Sequence, residues 1–434
     1  MSAAYFLNNL GYECHVYETR TEAGGLLRWG IPEYRLPLSI LAGEVSRLEH
    51  LGVVFHCGTS LGKDFLETPG SGYHAVFVGC GRARSVFPAI QGREMMVDGL
   101  AYLRAVRDGD AMGVIGEVAV VGGGNTAIDV ARTLVRFNAR PTIFYRRRLQ
   151  DMPAFEKEKE AALAEGVAIR ELVAPVAVEA VTGGYSLTLK ALQLSGETDV
   201  DGRPRVVPKG EATEILTVKR VFAATGAEAD AAWDPGRETD YGRLALSHSL
   251  LEARDIPVLY GGDLVNSVLS VPHAVMSGKQ AAMVLDTYFR AGMTAIAPRL
   301  EACRIGGGPG VSMEKYCNAK ARNTNPDTVV YADIKSSMFE VSERESPPRL
   351  SLEKCVQSFS AVEACLSKEG AIQEAGRCFN CGTCNGCGYC SVFCPEMAVV
   401  LGECNTISLD YCKGCGICVE ECPRNAMHLE AEAS

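Results

Sequence analysis

The chain has 434 residues, among them 45 glycines and 18 cysteines, with a formal net charge of −10. That length suits about three domains, and the acidic balance argues against nucleic acid or anionic membrane as partners. No apolar run reaches the roughly 18 residues of a membrane span.

Met1 to Leu10 reads as an amphipathic helix stopped by Gly11, and Cys14 to Tyr17 as a strand closing on Glu18. Without a basic n-region and apolar h-region after Met1, no secretory signal is expected. An acidic residue ending the second strand of a dinucleotide-binding βαβ unit takes the adenosine ribose, and Glu18 fits that place. The first strand and its glycine turn, which should precede the helix, are absent ahead of Met1. A late start or fragmented gene, an upstream polypeptide supplying the turn, and a decayed site all account for that gap. Farther on, Val76 to Gly79 reads as a late buried strand of the same unit.

Val118 to Val121 is a short β-branched run, followed by Gly122, Gly123, Gly124, Asn125, Thr126 and Ala127 as G-x-G-x-x-A. Ile128 to Val135 continue with helical periodicity. Strand, glycine turn and helix in this order are what a dinucleotide fingerprint requires. Gly122 makes the tight turn, and Gly124 lets a diphosphate approach the helix N-terminus. The next strand, Pro141 to Tyr145, ends in Arg146, Arg147 and Arg148. An NAD site would place Asp or Glu there, whereas arginine suits a 2′-phosphate, so Arg146 and Arg147 point to NADP(H). A solvated basic turn is the competing reading.

Glu156 to Glu160 alternates Glu and Lys, as on a solvated helix face. Gly183 to Gln193 and Arg203 to Thr217 alternate like hairpin strands, and Val221 to Ala224 reads as a buried strand. Residues 299–376 read as a connector, with a breaker at Gly306 to Gly310, a loop-rich stretch from Pro326 to Arg349, and helical character from Ser360 to Ala375.

The C-terminus holds Cys384-x2-Cys387-x2-Cys390-x3-Cys394-Pro395 and Cys412-x2-Cys415-x2-Cys418-x3-Cys422-Pro423. This doubled spacing belongs to bacterial two-cluster ferredoxins, in which each fourth cysteine ligates the other cluster. Cys384, Cys387, Cys390 and Cys422 are therefore expected on one 4Fe–4S cluster, and Cys412, Cys415, Cys418 and Cys394 on the second. Zinc knuckles separate their C-x2-C pairs by longer gaps and usually recruit His. Disulfides suit small secreted domains. Reduced thiolates awaiting iron fit a cytoplasmic location. Cys378 and Cys381 continue the ladder upstream, either as part of an additional cluster or as thiols buried under the connector. The other cysteines (14, 57, 80, 303, 317, 355, 365 and 404) read as ordinary thiols.

Taken together, residues 1–298 resemble the glutamate synthase small-subunit family. The resemblance runs through Ala3 to Leu7, Glu18, Gly24-Gly25-Leu26, Gly30-Ile31-Pro32 and Tyr34 to Pro37. It continues through Gly122 to Asp129, Tyr145 to Arg147, Met152 to Ala154, Ala224-Thr225-Gly226-Ala227, Gly261-Gly262-Asp263 and His273 to Ala282. With its ferredoxin-bearing tail, the chain is similar to NADPH-dependent oxidoreductases of that branch. The resemblance implies Gly24 and Gly25 along an FAD diphosphate, and Arg35 near the isoalloxazine. It also implies Asp263, beside Gly262, on the ribityl or diphosphate end, and Gly226 within the second nucleotide unit's closing motif.

The expected fold is α/β. Two Rossmann-like domains, the FAD domain discontinuous (1–108 and 228–298) around an NAD(P) domain (109–227), precede the connector and a small α+β ferredoxin domain (377–434). No residue is assigned as a catalytic acid or base. The expected activity is electron transfer between NADPH, FAD and two 4Fe–4S clusters, to or from a ferredoxin or iron–sulfur partner. A non-catalytic wiring subunit of a larger complex, of the 2-oxoacid or glutamate synthase type, is the alternative.

Overall fold

A computed structural model describes residues 1–62, 65, 72–110, 113–199, 202–230, 233, 245–246, 256–266, 268–306, 310–317, 325, 328–403 and 405–429. Gly307 to Pro309, Pro326 and Cys404, which figured in the sequence reading, lie outside the described residues. The chain is α/β and divides into two compact units. One is Met1–Gly278 with Pro348–Ala364, and the other is Lys279–Pro347 with Cys365–Ser434.

The larger unit is built on a five-stranded parallel sheet. Its spatial order is Val97–Asp98, Arg220–Ala224, Gly116–Gly122, Ala139–Tyr145 and Ala168–Glu171. Alternation along Val118 to Val121 assigns one face to each neighbouring layer. Val118 and Val120 pack with Ile128, Val130 and Leu134 on the helical side, while Ala119 and Val121 meet Val178, Leu187 and Leu189. Those last residues belong to the antiparallel sheet of Val173–Val181, Gly184–Thr198 and Pro204–Val218. The sheet is covered on both faces, which is why its central strand reads as an unbroken apolar run.

Among the described residues three smaller sheets accompany it, one of them the short antiparallel pair of Arg84–Ser85 with Ala227–Glu228. His15–Glu18 pairs in parallel with Val54–Cys57. Val76–Val78 pairs in parallel with Val258–Tyr260, whose other edge takes Ala245–Leu246. The expected N-terminal helix is present at Ser2–Asn9. The Val271–Ala291 helix passes it closely: a Cβ at Gly278 would lie 2.6 Å from the Ala3 nitrogen. The Ser2 hydroxyl donates to the Val275 carbonyl at 2.8 Å.

Two expectations need correction. The Glu156–Ala164 helix exists, but its Glu/Lys alternation is not wholly solvated: Lys159 is only 4 % exposed. Glu158 turns inward to Arg132 and, at 3.1 Å, to Arg35. Helical structure does not extend over Ser360 to Ala375 but begins at Lys368, where the Ser367 hydroxyl caps Gly370. The preceding segment is extended: Val362 donates to the Tyr34 carbonyl at 2.9 Å and Leu350 to Val362 at 3.0 Å.

Arg35, Arg132 and Arg136 face Asp129, Glu158 and Glu165 inside this unit. Arg35 Nη1 donates to both Asp129 carboxylate oxygens at 2.7 Å. Glu165 takes Arg132 at 2.6 and 3.0 Å and Arg136 at 2.7 and 3.1 Å. The Arg136 guanidinium lies 3.7 Å from the Tyr34 ring centroid.

In the smaller unit, the Tyr316 hydroxyl donates to Asp286 at 2.6 Å. Val399–Val400 pairs antiparallel with Thr406–Ile407, and short helices Tyr389–Val392 and Ile417–Glu420 follow the cysteine loops. Among the described residues no helix is long and apolar enough to cross a membrane.

Burial works to raise the Glu165 carboxyl, but hydrogen bonds from Arg132 and Arg136 outweigh it and hold the group below its ordinary 4.5. A depressed carboxylate contributes stability that is present above its unfolded value and lost as pH falls through its folded one. Thermal unfolding followed below pH 4.5 should therefore show a steeper acid loss in the native chain than in Glu165→Gln. At neutral pH the same substitution, which leaves two buried arginines short of a partner, should cost about 3–5 kcal/mol.

Candidate nucleotide and cluster sites

Strand Gly116–Gly122 delivers the glycine turn to the N-terminus of helix Asn125–Arg136. Gly122 has φ 147°, and a Cβ there would sit 2.1 Å from the Ala224 carbonyl oxygen. A Cβ at Gly123 would strike the Tyr145 ring at 2.3 Å. At Gly124 it would meet nothing within 4 Å. Two glycines are thus demanded by the protein's own packing, and the third faces open space. No side chain caps this helix, so its first-turn N–H groups face that space without a side-chain acceptor. Thr126 is half-buried in the first turn. The Asn125 side-chain oxygen accepts from Phe155 N at 3.1 Å, and Ala154 N donates to the Gly123 carbonyl at 3.3 Å. Met152 to Ala154 is thereby folded back against the turn. Gly226, with φ 127°, sits where the chain leaves the central sheet, its carbonyl accepting from Val86 at 2.9 Å.

The three arginines after Tyr145 do different things. Arg148 pairs with Asp151 at 2.8 and 2.9 Å. Arg147 is 4 % exposed, bound to Asp199 and, at 2.7 Å, to the Pro204 carbonyl. Its guanidinium serves the hairpin, from more than fifty residues away. Arg146 is exposed at the strand end. Of the expected pair, it alone presents an open charge.

On the flavin side, Glu18 Oε1 accepts from Arg20 N at 3.0 Å. Gly24 (φ 136°) packs under Leu41, while a Cβ at Gly25 (φ 52°) would meet nothing within 4 Å. The Arg35 guanidinium is bound by Asp129 and Glu158. Asp263 follows Gly262 in a short 3-10 turn. Burial raises its carboxyl, against the pull of Arg82 and His273. Its Oδ1 is buried without a hydrogen-bond partner, as are Asn266 Nδ2 and Trp29 Nε1. Buried polar atoms are rarely left unmatched, so Asp263 Oδ1 and Asn266 Nδ2, on one turn, fit a polar ligand such as FAD. The Tyr102 hydroxyl, whose ring packs against Phe222, is unmatched as well. Arg82 braces this turn, donating to the Asp263 carbonyl at 2.8 Å and the Asn266 carbonyl at 2.9 Å. Trp29, Arg82 and Asn266 escaped the sequence reading because no motif marks them.

In the cysteine region, a cavity of about 250 Å³ is lined by Cys384, Cys387, Cys390 and Cys422, with Asn405, Arg424 and His428. Burial raises the Cys390 thiol, and the nearby Cys384, Cys387 and Cys422 raise it further. These four are the set expected from the crossed spacing. Cys418 is likewise raised by burial and then by Cys412 and Cys415. Backbone N–H groups point at the sulfurs in matching pairs. Gly386 donates to Cys384 at 3.4 Å and Gly414 to Cys412 at 3.5 Å; Ala426 donates to Cys422 at 3.2 Å and Ala398 to Cys394 at 3.3 Å. Donors aimed at thiolates suit an anionic iron–sulfur centre. Cys378 and Cys381 are exposed, not buried under the connector. Cys14, Cys303 and Cys355 are buried.

The chain belongs to the pyridine nucleotide-disulphide oxidoreductase family, which it matches over residues 1–278. A 4Fe-4S binding domain matches residues 406–428. The chain is 36 % identical over 304 residues to the NADP(+)-dependent formate dehydrogenase subunit beta of Moorella thermoacetica, covering 68 % of this chain and 43 % of that protein. It is 31 % identical over 291 residues to the NAD-dependent dihydropyrimidine dehydrogenase subunit PreT of Escherichia coli O157:H7, covering 66 % and 65 %. The NADPH-Fe(3+) oxidoreductase subunit beta of Geobacter sulfurreducens is 33 % identical over 249 residues, 54 % of this chain and 36 % of that one. The chain thus spans between about a third and two thirds of these relatives. The fold is shared with Mycobacterium tuberculosis FprA in complex with NADPH, at a TM-score of 0.55 and 14 % identity over 73 % of this chain and 85 % of that one. Family membership brings FAD and a nicotinamide nucleotide, and the C-terminal match brings 4Fe–4S chemistry.

The glycine geometry separates folding from ligand approach. Gly122→Ala should destabilise the larger unit by about 3 kcal/mol through overlap with the Ala224 carbonyl, whereas Gly124→Ala should leave its melting temperature nearly unchanged. Paired thermal melts of the two variants check this.

Proposed function

We propose that this pyridine nucleotide-disulphide oxidoreductase passes electrons between NADPH, FAD and two 4Fe–4S clusters, and hands them to or receives them from an iron–sulfur partner. The observation that carries this reading is the presence, in one chain, of two kinds of site. A glycine turn opens at Gly124 beside the exposed Arg146, and a cavity is ringed by Cys384, Cys387, Cys390 and Cys422. A doubled cysteine run with crossed fourth ligands supports two clusters, the second on Cys394, Cys412, Cys415 and Cys418.

The roles of the residues follow from their placement. The N–H groups at the start of helix Asn125–Arg136 and the space over Gly124 receive the nucleotide diphosphate. Arg146 reaches the 2′-phosphate, which favours NADPH over NADH. Glu18, Gly25 and Asp263 hold the adenosine ribose, the diphosphate and the ribityl end of FAD. FAD, when bound, supplies the exchange between two-electron hydride chemistry and single electrons. The protein's share is to orient the two rings and set potentials; no side chain need move a proton as acid or base.

The domain division 1–108 with 228–298, 109–227, 299–376 and 377–434 belongs to this reading. So does the glutamate synthase small-subunit branch, which rests on the ordered motifs from Glu18 to His273. Relatives named as subunits support an assembly with further chains, and reduced iron–sulfur chemistry suits the cytoplasm.

Two measurements test the proposal. The purified chain, prepared without oxygen, should carry FAD and about eight irons with as many sulfides, and should reduce a dye with NADPH. Iron and sulfide without flavin would instead mark a wiring subunit. Arg146→Glu should raise KM for NADPH by about 10–100-fold, the worth of one or two charge-assisted hydrogen bonds, with little change for NADH. Equal effects on both nucleotides would sink the 2′-phosphate role. Arg147→Glu should lower thermal stability, since it replaces the partner of Asp199 with a like charge.

A further inference from the structure

The backbone donors to the two cysteine sets are duplicates, and among the described hydrogen bonds one side chain adds to them as a donor to sulfur. Asn405 lies on the short connection between strands Val399–Val400 and Thr406–Ile407, where it lines the cavity of Cys384, Cys387, Cys390 and Cys422. Its Nδ2 points at Cys384 Sγ at 3.6 Å and at Cys390 Sγ at 3.9 Å. Its Oδ1 accepts from Gly402 N at 3.3 Å. That bond settles which end of the amide faces the sulfurs: the oxygen is held by a backbone donor, so the NH2 group is turned to the thiols. Among the described hydrogen bonds, the other N–H donors to these two sets are backbone groups, matched one for one.

We propose that Asn405 is a positioning residue that raises the reduction potential of the cluster on Cys384, Cys387, Cys390 and Cys422 above that of the second cluster. This rests on the two-cluster reading. One-electron reduction adds negative charge that spreads onto the ligand sulfurs, and an N–H donor stabilises the reduced state more than the oxidised one. Two bonds from one amide therefore favour electron residence on this cluster. Arg424 and His428 line the same cavity and stay constant in the comparison below. Asn405 acts as a donor rather than a ligand, because its NH2 group faces the sulfurs and its Oδ1 is held by Gly402 N.

The test compares Asn405→Leu and Asn405→Asp with the native full-length chain, using redox titration followed by electron paramagnetic resonance and iron and sulfide analysis. Leucine removes the donor without adding charge, whereas aspartate keeps an oxygen for Gly402, loses the donor and adds a negative charge beside the sulfurs. The pair therefore separates the loop anchor from the effect on sulfur, with the larger shift expected for aspartate. The expected result is a downward shift of one cluster's potential in both variants, at least as large for aspartate, with the other cluster's potential and the iron content unchanged. Unshifted potentials in both variants, equal shifts of both clusters, or a shift in the leucine variant alone would overturn the inference. A native chain without two clusters would overturn the two-cluster reading and this inference with it, an outcome the iron analysis distinguishes from unshifted potentials.

Discussion

Three cations and three anions, sealed together inside the larger unit, fix the position of the helix that begins at the glycine turn. Arg35, Arg132 and Arg136 oppose Asp129, Glu158 and Glu165. Burying one such charge alone would cost several kcal/mol, and only matched geometry offsets that. The cluster reaches four separate stretches of chain: the Tyr34–Arg35 loop, helix Asn125–Arg136, helix Glu156–Ala164 with Glu165, and the Ser358 carbonyl that accepts from Arg136 at 3.1 Å. Since Asp129, Arg132 and Arg136 are one helical turn apart, the whole inner face of that helix is pinned. Its N-terminus, four residues from Asp129, inherits the constraint. The direction in which the free N–H groups point is thus set by ion pairs that begin one helical turn away, at Asp129.

A second constraint acts through absence of partners. The larger unit satisfies Arg35, Arg147 and Arg148 internally, yet leaves Asp263 Oδ1, Asn266 Nδ2 and Trp29 Nε1 buried and unmatched. Leaving such atoms bare costs roughly 1–3 kcal/mol each. Of these, Asp263 lies where the proposed reading holds the ribityl end of FAD, and a polar ligand bound there would remove its penalty. In that reading, binding and stability would be coupled at this turn.

Patterns confined to a few neighbouring residues were legible in the sequence. The Val118 to Val121 strand, the glycine turn, the alternating hairpin and the cysteine runs each rest on local periodicity or spacing, and the structure reproduces them to within a few residues. What escaped depends on distant partners. Nothing near Arg147 announces Asp199, and nothing near Arg35 announces Asp129, ninety-four residues on. The Glu/Lys alternation at 156–160 looked solvated because Arg132 lies in another helix. The helix expected from Ser360 starts at Lys368, because Val362 is drawn into an extended bond with Tyr34. Cys378 and Cys381 share the spacing of the cluster ladder, but spacing says nothing of burial, and both are exposed.

The two cysteine runs carry the same lesson in reverse. Their duplicated spacing imposes duplicated backbone: left-handed glycines at 386 and 388 answer those at 414 and 416, and left-handed Met397 after Cys394 answers Asn425 after Cys422. Met397 and Asn425 have Cβ atoms, so their φ near 50° is held against steric preference by the loop that turns an N–H toward each fourth sulfur. Equal backbones give equal dipoles, and equal dipoles would give two clusters no reason to differ. A chain that moves electrons one at a time needs a difference, because flow follows a gradient of potential. With the backbone donors matched, a difference between the two clusters of the proposed reading would come from side chains. Asn405, Arg424 and His428 all line the cavity of one set, and Asn405 is the one that donates to its sulfurs among the described hydrogen bonds.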